Sequence, residues 1–144
     1  MAIRKTYLVP VDFSKNAEPA LRYAAALARE NSGKLLLVHV IQMALSDSDG
    51  GVFFDYYALL EKDAKERFKK LAARHKLETA QYRTVIVSAV DIAGAIVSQA
   101  RKARAAMIIM GSQGKTGLQR LMLGSVAERT LRYAECPVLI VKKS

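Results

Sequence analysis

Short apolar runs and helix-like segments alternate along this chain of 144 residues, and the alternation restricts the possible fold more than any other feature. Apolar runs typical of buried strands lie at residues 3–11, 35–41, 81–87, 107–110 and 138–141. Segments with apolar residues at helical spacing lie between them, at residues 16–33, 54–76, 92–103 and 121–133. Strands joined by helical crossovers form a parallel sheet covered on both faces. The sequence therefore predicts a doubly wound α/β fold.

Two polar residues mark where helices are expected to begin. Asn16 is a residue type that caps helix N-termini, and Pro19 follows in the first turn, where its missing N–H costs little. Asp91 stands in the same position before residues 92–103. We therefore expect a side-chain cap at each of these helix starts.

Length and composition predict one domain over residues 1–144. Hydrophobic residues make up 51% of the chain, and a domain of this size buries roughly two thirds of its unfolded surface. Cys136 is the only cysteine, so an intrachain disulfide is excluded. No apolar run reaches the ~20 residues of a membrane span, and residues 1–5 do not resemble a signal peptide. We therefore expect a cytoplasmic protein with no membrane partner.

The formal net charge of +10 raises the question of a nucleic-acid partner. Along the sequence, however, the cations are dispersed. Those in residues 61–70 alternate with acidic residues and predict a solvated helix face, and those in residues 101–104 complement a helix dipole. No recognition motif or aromatic stacking array accompanies them. From the sequence we therefore expect no nucleic-acid partner.

Three glycines follow the fourth apolar run at spacings that suit an anion site. Gly111 ends the run, Gly114 follows it, and Gly124 and Ser125 precede a helix. A strand, a glycine loop and a helix N-terminus in this order present backbone N–H groups and the positive end of a helix dipole to a phosphate. The alternative is that these glycines only shape turns.

Four segments of the sequence resemble the universal stress protein family, in its nucleotide-binding subgroup. They are an opening strand that ends in Val11-Asp12 before Ser14, a second strand at residues 35–40, the complete glycine motif, and a closing strand at residues 136–141. The resemblance extends over essentially the whole chain. Two positions depart from it: Ala106 replaces a common aspartate, and residues 88–91 lack a common glycine.

The resemblance implies a five-stranded parallel sheet in the order 3-2-1-4-5, which places Asp12 and Gly111 on one crevice. It further implies that Asp12 contacts ribose and that the Val40 backbone contacts adenine, and a phosphate oxygen could take the Ser125 hydroxyl. The alternatives are that Asp12 only satisfies N–H groups of its loop, that Val40 belongs to the core alone, and that Ser125 is a simple N-cap. Lys115 and Arg120 are candidates for the β- and γ-phosphates. The full set of expected nucleotide-binding residues is Pro10, Val11, Asp12, Val40, Met110, Gly111, Ser112, Gly114, Lys115, Arg120, Gly124, Ser125 and Val126.

These residues predict a protein that binds ATP, with Mg²⁺ or Mn²⁺ held mainly by the phosphates, and acts as a nucleotide-dependent stress-response regulator. Binding rather than turnover is expected because the sequence shows no catalytic base near the loop. Gly114-Lys115-Thr116 resembles the end of a Walker loop, but Ile109 stands where that loop needs its first glycine. A slow ATPase or autophosphorylating enzyme remains open, as does a nucleotide-independent dimeric interaction protein.

The closing strand predicts self-association. In the implied strand order Val138–Val141 forms an edge of the sheet with unpaired backbone groups, and such an edge pairs readily with another chain. We therefore expect a homodimer through this strand. The sequence does not name a downstream partner, and it predicts no catalytic residue and no protein metal site.

Overall fold

The computed structural model describes residues 5–44, 50–113 and 122–142. Within these ranges the chain forms a single α/β unit built on one parallel sheet. Its strands are β1 (Thr6–Pro10), β2 (Lys34–Gln42), β3 (Tyr82–Ala89), β4 (Met107–Gly111) and β5 (Val138–Val141). They are arranged in the order 3-2-1-4-5, which confirms the predicted fold class and topology.

The helices lie on both faces of the sheet. They are α1 (Glu18–Glu30), α2 (Gly50–Arg74), α3 (Ile92–Ala103) and α4 (Ser125–Tyr133). Alternate strand residues divide the core into two clusters, because successive side chains of a strand point to opposite faces. Leu35 and Leu37 join side chains of α1 and α2, whereas Leu36 and Val38 join side chains of α3 and α4. No helix within the described ranges is long and apolar enough to cross a membrane.

The start of α1 differs from the sequence prediction. The chain first forms a 3₁₀ turn at Lys15–Ala17, and α1 then begins at Glu18 with Ala17 in the cap position and no side-chain cap. The expected Asn16 cap is therefore wrong. Pro19 does lie in the first turn, as predicted.

Asp91 occupies the cap position of α3, but its side chain makes no cap hydrogen bond. Its carboxylate instead accepts a hydrogen bond of 3.0 Å from Arg129 on α4. The predicted cap position is correct and the predicted cap bond is wrong, because an ion pair between helices takes the carboxylate. Gly124 is the cap residue of α4, which begins at Ser125.

Strand order brings the site together. β1 lies between β2 and β4, so the carboxyl ends of these three strands are neighbours. The chain runs from β1 to β2 and β3 on one side and then crosses to β4 and β5 on the other, so the strand order reverses direction between β1 and β4. Ligands of doubly wound sheets bind at such a reversal point.

Candidate functional site

A cavity of about 620 Å³ opens at the carboxyl ends of β1, β2 and β4. Ligand sites in proteins commonly enclose roughly 300–1,000 Å³, so this volume suits a small molecule. Residues of α2, α3 and α4 complete its walls. The cavity therefore lies where the topology alone would place a ligand.

The structure brings the sequence-predicted residues to one place. The ten that fall in the described ranges all line the cavity: Pro10, Val11, Asp12, Val40, Met110, Gly111, Ser112, Gly124, Ser125 and Val126. Gly114, Lys115 and Arg120 lie outside the described residues.

Hydrogen bonds fix the loop that follows β1. Oδ1 of Asp12 accepts a bond of 2.9 Å from the Ser14 backbone N–H and another of 2.6 Å from the Ser14 hydroxyl. Between them Phe13 adopts a φ of 64°, a left-handed conformation that a bulky residue seldom takes. The turn holds the Asp12 carboxylate at the cavity wall.

Aromatic packing supports Phe13 in this conformation. Its ring centroid lies 4.7 Å from that of His39 and 4.9 Å from that of Phe68. His39 Nδ1 in turn donates a hydrogen bond of 2.7 Å to the Val11 carbonyl, since a carbonyl oxygen can only accept. His39 thus supports the loop after β1, a role that its sequence position did not indicate.

The main chain of β2 presents polar groups to the cavity. Lys34 and Val38 bond to β1, whereas Leu35 bonds toward β3, so even-numbered residues of β2 direct their N–H and C=O toward β1. β1 ends at Pro10, opposite Val38. Two residues further along, Val40 therefore directs an N–H and a C=O into the space beyond the end of β1.

Helix α4 presents its N-terminus to the opposite side of the cavity. Gly124 carries no side-chain oxygen that could cap the helix, and Ser125, Val126 and Ala127 of the first turn all line the cavity. The first N–H groups of a helix have no acceptor within it and carry partial positive charge. This wall is therefore suited to an anion.

Two glycines shape this wall in different ways. A methyl group on Gly111 would lie 2.7 Å from the Asn16 carbonyl oxygen, so close packing of the main chain requires glycine there. Gly124 has φ −62° and ψ 156°, a conformation open to every residue type. Glycine is therefore not needed at position 124 to provide a positive φ.

Sequence reasoning missed the contribution of α2. Leu60, Asp63, Ala64 and Arg67, one helical face, line the cavity. Arg67 Nε lies 2.9 Å from Asp63 Oδ2, and the Arg67 guanidinium lies 5.8 Å from the centroid of the Phe13 ring. An i,i+4 ion pair has the same sequence pattern on a solvated face and beside a cavity. Only the position of α2 distinguishes the two.

Cys136 supplies the one thiol of the chain. Burial raises the pKa of the half-buried Cys136 thiol, which favours the protonated and less nucleophilic form at neutral pH. Within those ranges no three His, Cys, Asp or Glu side chains gather at metal-binding distance.

The model of the universal stress protein family matches residues 4–142. The chain belongs to that family. Universal stress protein MJ0531 of Methanocaldococcus jannaschii is 33% identical over 141 residues, which cover 96% of this chain and 82% of that protein. The structure of protein MJ0577 of the same organism is similar to this universal stress protein with a TM-score of 0.76, at 30% identity and with 99% of each chain covered.

A further relative was solved with a nucleotide. The universal stress protein of Archaeoglobus fulgidus in complex with dAMP has a TM-score of 0.66 and covers 99% of this chain and 100% of its own. At 23% identity this likeness shows the shared fold alone.

Proposed function

We propose that this universal stress protein binds ATP in the cavity and acts as a nucleotide-dependent regulator in the stress response. One observation carries the proposal: a single cavity joins the N-terminus of α4 on one wall to a main-chain donor and acceptor of Val40 on another. The helix N-terminus suits a phosphate, and the main-chain donor and acceptor suit a purine base. The A. fulgidus relative that shares the fold holds an adenine nucleotide, dAMP.

The phosphates are assigned to the wall formed by Gly111, Gly124 and Ser125. Uncapped N–H groups at the start of α4 suit phosphate oxygens, and the Ser125 hydroxyl adds a donor. Mg²⁺ or Mn²⁺ is proposed to bind mainly through the phosphates, as Mg²⁺ commonly does. Lys115 and Arg120 remain proposed contacts of the outer phosphates.

The base is assigned to Val40. Its N–H and C=O match the acceptor and donor that adenine presents together, a ring nitrogen and the N6 amino group. Guanine presents a carbonyl and a ring N–H at the corresponding edge, so the same main-chain pair meets like groups. Both main-chain groups of Val11 are already engaged, its N–H with Val38 and its carbonyl with His39, which leaves the contact to Val40.

A regulator is proposed rather than an enzyme because the described charged groups of the cavity are already committed. Asp12 accepts two hydrogen bonds from Ser14, and Asp63 pairs with Arg67. Hydrolysis needs a group that positions water and groups that neutralise developing charge. We place this role in the cytoplasm, with a homodimer through Val138–Val141 as the acting form and a downstream protein as the recipient of the signal.

Nucleotide identity tests the proposal directly. We expect the purified protein to release an adenine nucleotide on heat denaturation, and calorimetric titration to give at least roughly 10-fold tighter binding of ATP than of GTP, about 1.4 kcal/mol. Equal binding of GTP would remove the adenine assignment at Val40. No binding of either nucleotide would overturn the proposal and favour a nucleotide-independent interaction protein.

The ribose assignment of Asp12 makes a second prediction. Replacing Asp12 with alanine should weaken ATP binding by about 1–3 kcal/mol, the scale of a hydrogen bond to a charged group. Wild type should also bind ATP more tightly than 2′-deoxy-ATP, and the substitution should remove that difference. Calorimetry with both nucleotides measures it.

Ser14→Ala is the matched control, because it removes one of the two bonds that Asp12 accepts and leaves the carboxylate in place. It should retain the preference for the ribonucleotide. If Asp12→Ala lowers the affinity for both nucleotides equally, Asp12 supports the loop and does not contact ribose.

A further inference from the structure

The end of the sheet at which the strands begin lies opposite the cavity and carries a concentration of unpaired positive charge. Helices α1, α2 and α3 return the chain to the strand starts, so their C-termini and the beginnings of the strands share this end. We name it the basic edge and define it by seven residues, all exposed: Lys5, Arg29, Lys34, Lys76, Arg83, Lys102 and Arg104. Two exposed carboxylates, Glu30 and Glu78, lie at the same end, so the cations outnumber them.

Hydrogen bonds between strands establish that the central cations are neighbours. Lys34 N–H donates to the Lys5 carbonyl. Ala106, which lies two residues after Arg104, donates its N–H to the Thr6 carbonyl. Leu35 N–H donates to the Gln81 carbonyl, and this bond joins β2 to β3 two residues before Arg83. The cations near the starts of β3, β2, β1 and β4 therefore form a row across adjacent strands, about 14 Å long at roughly 4.8 Å per strand.

Unpaired cations are more concentrated on this edge than on the other described surfaces. Elsewhere acidic partners are taken by Lys65, Arg67, Lys69, Arg74, Arg129 and Arg132, whereas Lys15, Arg22, Lys62, Lys70 and Lys142 form no ion pair within the described ranges and are dispersed over several elements. None of the seven residues of the basic edge forms an ion pair within the described ranges, although the neighbouring Arg101 pairs with Glu135. Helix dipoles favour cations at helix C-termini, but Lys5, Lys34 and Arg83 do not lie in helices.

We propose that the basic edge binds the phosphate backbone of double-stranded nucleic acid without reading its sequence. A row of about 14 Å can reach phosphates on both sides of a major groove, which is about 12 Å wide. The described exposed large apolar residues are Tyr23, Tyr56, Leu59, Val90, Met122, Leu131 and Tyr133, and none of them lies in the four strands that carry the row. The row therefore lacks the apolar anchors of protein and membrane interfaces and the aromatic platforms of single-strand binding.

A charge-matched pair of variants tests the proposal. The edge variant combines Lys34→Gln, Arg83→Gln and Arg104→Asn; asparagine is chosen because position 104 has a φ of 51°, which asparagine tolerates. The control variant combines Arg22→Gln, Lys62→Gln and Lys70→Gln, which remove the same charge from exposed helix positions. Circular dichroism verifies that both variants are folded.

Fluorescence anisotropy with a labelled 20-base-pair duplex is the measurement. At 50 mM salt we expect the edge variant to bind about 30-fold more weakly than wild type and the control variant to change by less than about 3-fold. The slope of log K against log salt should become shallower by about 3 in the edge variant, since each lost phosphate contact removes about 0.9.

Other outcomes would overturn the proposal. Equal losses in both variants would mean that net charge alone attracts the duplex, and absence of wild-type binding at 50 mM salt would exclude the interaction. Stronger edge-dependent binding to phosphatidylserine vesicles than to the duplex would assign the edge to a membrane instead. The proposal does not depend on ATP binding, because the cavity lies at the other end of the strands and the assay contains no nucleotide.

Discussion

Replacing Gly124 with valine should reduce ATP affinity by at least about 100-fold while the protein remains folded. Gly124 lines the cavity before the first turn of α4, so a branched side chain there competes with a phosphate for space. Its extended φ and ψ are comfortable for valine, and its two main-chain bonds, to Ser112 and from Glu128, do not involve a side chain. The measurement is calorimetric titration with ATP.

A smaller substitution at Gly124 separates the loss of space for the phosphate from any loss of folding stability. Gly124→Ala adds one methyl group and should lose about 10-fold in affinity, or about 1.4 kcal/mol. Valine is a poorer cap residue than glycine by about 1 kcal/mol, so the melting temperature of Gly124→Val should fall by only about 3 °C. Gly111 is unsuitable for this test because added atoms would clash with the Asn16 carbonyl. Unchanged affinity in Gly124→Val would refute the phosphate assignment.

Replacing Ile140 with proline should convert the proposed homodimer into a monomer. Ile108 N–H donates to the Pro137 carbonyl, so odd-numbered residues of β5 bond to β4, and Val138 and Ile140 direct their N–H and C=O toward the open side. Proline at Ile140 removes an outward N–H without breaking the β4–β5 pairing. We expect the light-scattering mass to fall from twice 15.8 kDa to 15.8 kDa.

Ile140→Val is the control for the dimer, because it retains the outward N–H and most of the apolar side chain that packs against the core. It should remain dimeric. A wild-type protein that is monomeric at high concentration would exclude the dimer. A dimer that tolerates Ile140→Pro would have its interface elsewhere.

Much of the fold was predictable because strands and helices carry different apolar spacings. β5 and α3 have the predicted bounds, Val138–Val141 and Ile92–Ala103. The failures lie where local signals compete with contacts that are distant in sequence. Asp91 resembles a cap residue, yet Arg129 lies 38 positions away and reaches its carboxylate. No pattern near Asp91 indicates that partner.

The candidate site was only partly predictable, for the same reason. The glycine motif, the strand ends and the family resemblance together indicated ten lining residues, but the α2 face with Asp63 and Arg67 depends on how that helix crosses the sheet. The basic edge is the clearest example. Its cations are spread over 99 positions in sequence, from Lys5 to Arg104, and only the parallel topology brings them to one side.

The left-handed conformation of Phe13 has a consequence for selectivity. Such a conformation costs about 1–3 kcal/mol, and here the aromatic contacts and the Asp12–Ser14 bonds, all of them within the protein, maintain it. This side of the cavity is therefore preorganised, and a ligand loses little affinity to ordering it. A rigid wall also does not adapt to a poor fit. If ATP binds as proposed, with its ribose at Asp12, nucleotides that differ from it at the sugar should be rejected by mismatch rather than accommodated by movement of the loop.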